Sequence, residues 1–313
     1  MQIKGMYTAL VTPFQQDGSV NYTEFRKLIR FQIEAGVDGL VVLGTTGEAP
    51  TLTSSERKEL ISVAREETLG RCSLMVGTGS YSTAQTIENS LLAQQLGADS
   101  LLVITPYYNK PTPQGIYLHY KALTEAVGLP IIVYTHQGRT AQNIQPETLL
   151  RIAQLPGILG VKEAAAPIGQ IIDIIEIFRQ QRKDFTILSG DDGLTVPLMA
   201  AGGHGVISVA SNLLPIQMKK LVQAMEQGFL VEAQNVFYEL LPLLKAFNIE
   251  TNPIPIKAAM ELSGMKVGGC RLPLCPLLPE NQAKLMARTE QDKDLIDLNY
   301  ALYARHAELA LTR

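Results

Sequence analysis

Short apolar runs recur through the first two thirds of the chain, and they are continuous rather than alternating. They occupy 6–11, 39–43, 73–77, 100–104, 131–134, 158–162, 185–188 and 205–209. Continuous runs of this length are the signature of strands covered on both faces, as in a parallel sheet. Between them, apolar residues recur at helical spacing. The stretch 21–34 places Phe25, Leu28, Ile29 and Ile33 on one face. Thr53-Ser54-Ser55-Glu56 is a capping signal ahead of Leu60, Ile61 and Ala64. The stretches 83–96, 114–127, 146–154, 168–181 and 193–201 follow the same plan, and Gly36, Gly97, Gly128 and Gly202 mark helix ends. The run Ile171-Ile172 with Ile174-Ile175 reads as core. Strands alternating with helices predict an α/β fold, a (β/α)8 TIM barrel. A doubly wound open sheet is the competing reading. It favours a glycine fingerprint after the first strand, and Thr12-Pro13-Phe14 is not one.

After Pro215 the strand-like runs stop. Helical periodicity over 216–226, 230–247, 255–263, 280–288 and 293–309 predicts the closing helix of a barrel and a C-terminal helical domain. The expected division is a catalytic barrel over 1–227 and a helical domain over 228–313. No linker, low-complexity tract or internal repeat interrupts the pattern.

Composition narrows the class. The 313 residues are 46% hydrophobic and 18% charged, which suits a soluble protein with a sizeable core. A net charge of −3 leaves no basic footprint for nucleic acid. No apolar run is long enough to cross a membrane, and the first residues lack the regions of a signal peptide. Cys72, Cys270 and Cys275 are too few and too oddly spaced for a disulfide framework or a zinc site, and each is expected to be a small buried residue. These features point to a reducing, cytoplasmic compartment. His119, His136, His204 and His306 show no metal-ligand spacing, so neither metal nor cofactor is expected.

The candidate chemistry starts from Lys162, at the end of the apolar run Ile158-Leu159-Gly160-Val161. Burial removes hydration from an ammonium, lowers its pKa and favours the neutral amine. A neutral amine is a nucleophile toward carbonyls and forms Schiff bases. The bland alternative is a lysine whose head has reached solvent. In a barrel the chemistry sits where strands end, and these ends are polar. Gly44-Thr45-Thr46-Gly47 offers consecutive backbone N–H groups and two hydroxyls, a cradle for a carboxylate or an ordinary turn. Tyr134 is a proton shuttle or a packing residue, and Arg139 clamps a carboxylate or is a solvated loop arginine. Asp191 and Asp192 lack a third ligand nearby, which favours hydrogen-bonding or capping roles over a metal.

Five motifs now stand in register: Gly44-Thr45-Thr46-Gly47-Glu48, Tyr107-Tyr108-Asn109-Lys110-Pro111, Tyr134 with Gly138-Arg139-Thr140, Gly160-Val161-Lys162-Glu163-Ala164, and Gly205-Val206-Ile207-Ser208. Together they resemble the dihydrodipicolinate synthase and N-acetylneuraminate lyase family of pyruvate-dependent Schiff-base aldolases. The resemblance runs from Ile3 to about Leu278 and includes Arg271-Leu272-Pro273-Leu274. Gly138-Arg139-Thr140 is similar to the synthase branch, whose arginine holds the carboxylate of aspartate semialdehyde. One departure stands out: the branch usually carries Asn-Val-Pro where this chain has Thr135-His136-Gln137.

The resemblance implies that Lys162 forms an imine with pyruvate, that Thr45 and Thr46 hold its carboxylate, and that Tyr134 moves protons with Thr46 and Tyr108. It implies that Tyr108 acts from a neighbouring subunit, and that Gly190 and Ile207 line the lysine pocket. It further implies a cofactor-free homotetramer, a dimer of dimers, whose partners are pyruvate and aspartate semialdehyde. The product would be 4-hydroxytetrahydrodipicolinate, on the route to lysine and diaminopimelate. A lyase acting on a sugar acid is the near alternative, and Arg139 argues against it. A catalytically silent binding protein is the distant one; Lys162, Tyr134 and Thr46 are all present and argue against that. Lysine-inhibited members typically place a glutamate where this chain has Gln85, usually an asparagine at Tyr81 and often a histidine at Arg57, which implies weak or absent feedback.

Overall fold

Local signals set most of the element boundaries. Asn21 accepts a hydrogen bond from the Glu24 N–H at 3.0 Å and starts the first helix. Thr53 and Glu56 form a reciprocal capping box at the start of the second. The computed structural model describes residues 3–164 and 167–309. In chain order the elements are β1 (Gly5–Ala9), α1 (Tyr22–Glu34), β2 (Gly39–Val42), α2 (Ser54–Thr68), β3 (Ser73–Gly77), α3 (Thr83–Gln95) and β4 (Ser100–Ile104). There follow α4 (Pro113–Ala126), β5 (Ile131–Thr135), α5 (Gln137–Thr140), α6 (Pro146–Ala153), β6 (Ile158–Glu163) and α7 (Ile168–Gln181). Then come β7 (Thr186–Ser189), α8 (Thr195–Ala201), β8 (Gly205–Ser208), α9 (Pro215–Glu226), α10 (Leu230–Ala246), α11 (Ile254–Leu262), α12 (Pro279–Gln291) and α13 (Lys293–Leu309). The eight strands close into one barrel in sequence order, parallel throughout the registers described, so the expected TIM barrel is the observed fold. The end of the chain beyond 309, within the expected 228–313 domain, lies outside the described residues.

Two compact units share the chain, 3–5 with 74–207 and 6–73 with 208–309. In the first, β3 to β8 are almost wholly buried, and α3, α4, α6, α7 and α8 pack as successive neighbours outside them. In the second, α1 buries Phe25, Leu28, Ile29 and Phe31. It also buries Gln32, which accepts a hydrogen bond from the Thr8 hydroxyl at 2.7 Å and donates to the Ser211 carbonyl at 2.8 Å. Those two bonds are why a polar residue is tolerated there. Helices α9 to α13 follow as a helical array, with α10 on α9 and α12, and α13 on α1.

Some expectations are corrected. Ile33 is half-buried, and Ile172 is 49% exposed while Ile171, Ile174 and Ile175 are buried. A run of isoleucines hides which one faces out. Cys275 is exposed, and Cys72 and Cys270 are partly so, not buried small residues. Gly36, Gly97 and Gly202 follow helices with positive φ, but Gly128 does not; α4 ends at the extended Val127. Among the described residues no helix is long and apolar enough to cross a membrane.

Candidate active site

Adjacent strands β5 and β6 put Tyr134 and Lys162 on the same rung. Lys162 lies inside β6, one residue before its end, rather than in the loop beyond, and is only 6% exposed. Its Nζ sits 4.4 Å from the centre of the Tyr134 ring. The negative ring face stabilises the cation, but only weakly compared with water. Burial therefore dominates and pulls the Lys162 pKa down to about 8; Arg139 pushes the same way, and the Asp192 carboxylate opposes them.

Room for that lysine comes from Gly190. A Cβ there would lie 2.5 Å from Ala164 Cβ and 2.8 Å from Lys162 Cε, closer than packed carbons approach. The Gly190 N–H donates to the Glu163 carbonyl at 2.6 Å, fixing the loop after β7 beside the end of β6. Asp191 caps the following turn by accepting from the Gly193 N–H at 2.8 Å, the capping role expected of it, and Asp192 is buried. Ile207 is fully buried on β8.

Arg139 is not on an irregular loop. It occupies the four-residue helix α5, where the Arg139 and Thr140 N–H groups donate to the His136 carbonyl at 2.9 and 3.0 Å. The departure at 135–137 becomes readable here: Thr135 ends β5, His136 is the N-cap and Gln137 is the first helical residue. A proline at that first position would have needed no N–H partner, so its loss leaves the turn formed. The Arg139 side chain is exposed. His136 faces the Tyr134 ring at 6.3 Å, and burial, aided by Arg139 and Lys162, lowers its pKa to about 4. It is therefore neutral at neutral pH. Tyr108 is 89% exposed, on a loop with positive φ at Tyr108 and Lys110. Tyr107 beside it packs edge-to-face on Tyr81, ring centres 5.7 Å apart.

The threonine loop belongs to the other unit. Leu43 and Glu48 bracket it with φ of 57° and 53°, left-handed conformations that cost roughly 1–2 kcal/mol for residues with a Cβ. Thr45 is half-buried and Thr46 buried. The Thr46 Oγ1 accepts a hydrogen bond from Asn252 Nδ2 at 2.9 Å. Gly47 sits tightly, since a Cβ would stand 3.2 Å from the Leu10 carbonyl oxygen, and its own carbonyl accepts from the Thr12 hydroxyl at 2.7 Å. The Glu48 N–H donates to the Thr45 carbonyl, which narrows the expected cradle to the residues before it. Glu48 itself is buried against Lys257 Nζ at 2.9 Å.

Sequence reasoning missed His136, Asn252, Glu48 and Lys257 as parts of these clusters. Only Lys257 carried a local signal, a lysine on the apolar face of Ile254-Pro255-Ile256-Lys257-Ala258-Ala259-Met260. Among the described residues no group of three or more His, Cys, Asp or Glu is placed to hold a metal ion.

A closed barrel with a buried lysine of lowered pKa inside its sixth strand defines the class: a TIM barrel with an ionisable amine at its strand ends. A family model described as the dihydrodipicolinate synthetase family matches residues 2–292, and the chain belongs to that family. It is 54% identical over 285 residues to the 4-hydroxy-tetrahydrodipicolinate synthase of Protochlamydia amoebophila, covering 91% of this chain and 95% of that one. Among solved structures it is similar to dihydrodipicolinate synthase from Thermotoga maritima, at a TM-score of 0.91 and 43% identity over 94% of this chain and 99% of that one. It is likewise similar to the Acinetobacter baumannii enzyme complexed with pyruvate, at a TM-score of 0.90 and 36% identity over 93% and 99% of the two chains.

Proposed function

We propose that this protein condenses pyruvate with L-aspartate 4-semialdehyde to give 4-hydroxytetrahydrodipicolinate, through a Schiff base on Lys162. The observation that carries the reading is the buried Lys162 ammonium over the Tyr134 ring, with Gly190 leaving room beside its side chain. The neutral amine adds to the ketone carbon of pyruvate, and water leaves as the imine forms. The imine nitrogen draws electrons from the methyl group, so loss of a methyl proton gives an enamine. The enamine carbon attacks the aldehyde, and the amine of that substrate then displaces Lys162 as the ring closes. Lysine is regenerated, and the only small molecule released is the water lost at imine formation.

In this reading Thr45 and Thr46 hold the pyruvate carboxylate, and Tyr134 shuttles protons with Thr46 and with Tyr108 of a neighbouring subunit. Arg139 holds the carboxylate of the aldehyde substrate. Gly190 and Ile207 line the pocket. The exposure of Tyr108 supports a role in trans. Residues 1–227 form the catalytic barrel and 228–313 the helical domain, in a cytoplasmic homotetramer built as a dimer of dimers. Feedback by L-lysine is weak or absent, because Gln85 and Tyr81 supply no anionic partner for an ammonium.

The test is trapping with pyruvate and cyanoborohydride, followed by peptide mass spectrometry, beside turnover with aspartate semialdehyde coupled to a pyridine-nucleotide reductase. The expected label is on Lys162. Label on another lysine, or none, overturns the mechanism; label without coupled turnover overturns the second substrate.

A further inference from the structure

The second buried lysine of the chain, Lys257, lies far in sequence from every motif that carries the reaction. It is 1% exposed on α11. Its Nζ donates to Glu48 Oε1 at 2.9 Å, to the Thr12 carbonyl at 3.0 Å and to the Gly269 carbonyl at 2.5 Å, so all three protons have acceptors. It also lies 4.4 Å from the centre of the Phe14 ring. The other Glu48 oxygen accepts from the Arg271 N–H at 2.9 Å. The Arg271 side chain donates to the Gly18 and Thr51 carbonyls and to Glu56, the capping residue of α2.

This network is a clamp on one short loop. Glu48 directly follows Thr45-Thr46-Gly47 and holds a left-handed backbone that an extended chain would otherwise relax. Thr12, whose carbonyl Lys257 binds, uses its hydroxyl to hold the Gly47 carbonyl. Lys257 thus fixes the loop at two points, through Glu48 and through Thr12. We infer that Lys257 and Glu48 are positioning residues that hold Thr45 and Thr46 in the geometry for the carboxylate of a 2-oxo acid. The inference rests on the functional reading above. It predicts that the apparent affinity for pyruvate falls while that for the aldehyde does not, because the clamp acts on the threonine loop; turnover falls as well wherever Thr46 serves the proton relay.

Removing one partner of a buried ion pair leaves the other charge uncompensated, so the loop relaxes to reach solvent. Lys257→Met keeps the length and removes all three hydrogen bonds. Glu48→Gln keeps the shape and loses the charge. The experiment measures the pyruvate concentration giving half-maximal trapping rate, and the KM for each substrate in the coupled assay, in both variants and the parent protein. Lys257→Met is expected to raise the half-maximal pyruvate concentration about tenfold or more, and Glu48→Gln by a smaller factor above about threefold. The KM for aspartate semialdehyde stays within about threefold, and the trapped yield at saturating pyruvate is unchanged. A folded variant whose pyruvate dependence matches the parent overturns the inference. So does an equal rise for both substrates, which marks a fold loosened throughout. If Lys257→Met does not fold by circular dichroism, Glu48→Gln decides by the same criteria. Failure of the parent protein itself to trap pyruvate overturns the functional reading, and this inference with it.

Discussion

The pH dependence of imine formation tests the chemistry of Lys162 directly. An exposed lysine has a pKa of 10.5, and burial in β6 brings this one down to about 8. At pH 7 about 9% of Lys162 is then the neutral amine, against about 0.03% for the exposed group, a gain of roughly 300-fold in the reactive form. A less basic amine is a poorer nucleophile, which returns part of that factor. The expected rate of pyruvate trapping rises with pH below about 8 and levels off above it.

Two substitutions move the inflection in opposite directions. Asp192→Asn removes the negative charge that favours the ammonium, so the inflection moves to lower pH. Arg139→Ala removes a positive charge that disfavours it, so the inflection moves to higher pH. Arg139 is exposed, and its effect shrinks as salt is raised. Pre-steady-state quench with cyanoborohydride across pH 6 to 10 reads all three profiles. A profile still climbing at pH 10 in the parent protein, or both variants shifting the same way, refutes the placement of these charges.

The same burial predicts a stability trade-off. The charged form of Lys162 bears about 3 kcal/mol from the fall between 10.5 and about 8. The unfolded chain binds its proton more tightly, so the penalty is full below about pH 8 and fades as pH rises toward 10.5. Lys162→Met is expected to abolish trapping and to gain up to about 3 kcal/mol at pH 7 by urea unfolding, with the gain lost by about pH 10.5. Gly190→Ala drives a methyl group against Lys162 Cε and Ala164, and trapping slows by about 100-fold in a protein that still folds. If Arg139 holds the aldehyde's carboxylate as proposed, Arg139→Ala lowers turnover with aspartate semialdehyde by roughly 30- to 1000-fold, while the maximal pyruvate trapping rate at alkaline pH survives.

The strands were legible because barrel strands are covered on both faces and leave unbroken apolar runs. The expected 73–77 and 100–104 coincide with β3 and β4, and the other six strands differ by a residue or two at one or both ends. Lys162 stood out as a charge closing such a run, and the polar strand ends in register with it turned that signal from a solvated lysine into a candidate nucleophile. What stayed hidden was either too short or too distant. Helix α5 has four residues, less than the two turns over which apolar periodicity can be seen. The clamp on the threonine loop joins residues 209 and 223 positions apart, a pairing that only the closed fold creates. Arg271 was visible as part of a motif, but not its role of donating to Glu48 through the main chain.

Lys162 and Lys257 are both buried, both carry a lowered pKa dominated by desolvation, and both lie over an aromatic ring. Burial alone therefore does not separate a nucleophile from a strut. The partners do. Lys257 faces a carboxylate and two carbonyls, which hold its three protons and oppose its deprotonation. Lys162 has, among the described residues, no hydrogen bond or ion pair at Nζ; the Asp192 carboxylate acts on it electrostatically, and Gly190 leaves space at its side chain. An ammonium with all its donors engaged is fixed in place and cannot attack. One that faces a ring and a carboxylate's field can lose its proton and reach a carbonyl. On the proposed reading, the difference that makes one lysine chemical and the other structural is hydrogen-bond saturation. It is set by Thr12, Glu48 and Gly269 around Lys257 and by Tyr134 and Gly190 around Lys162, none of which neighbours its lysine closely in sequence except Gly269.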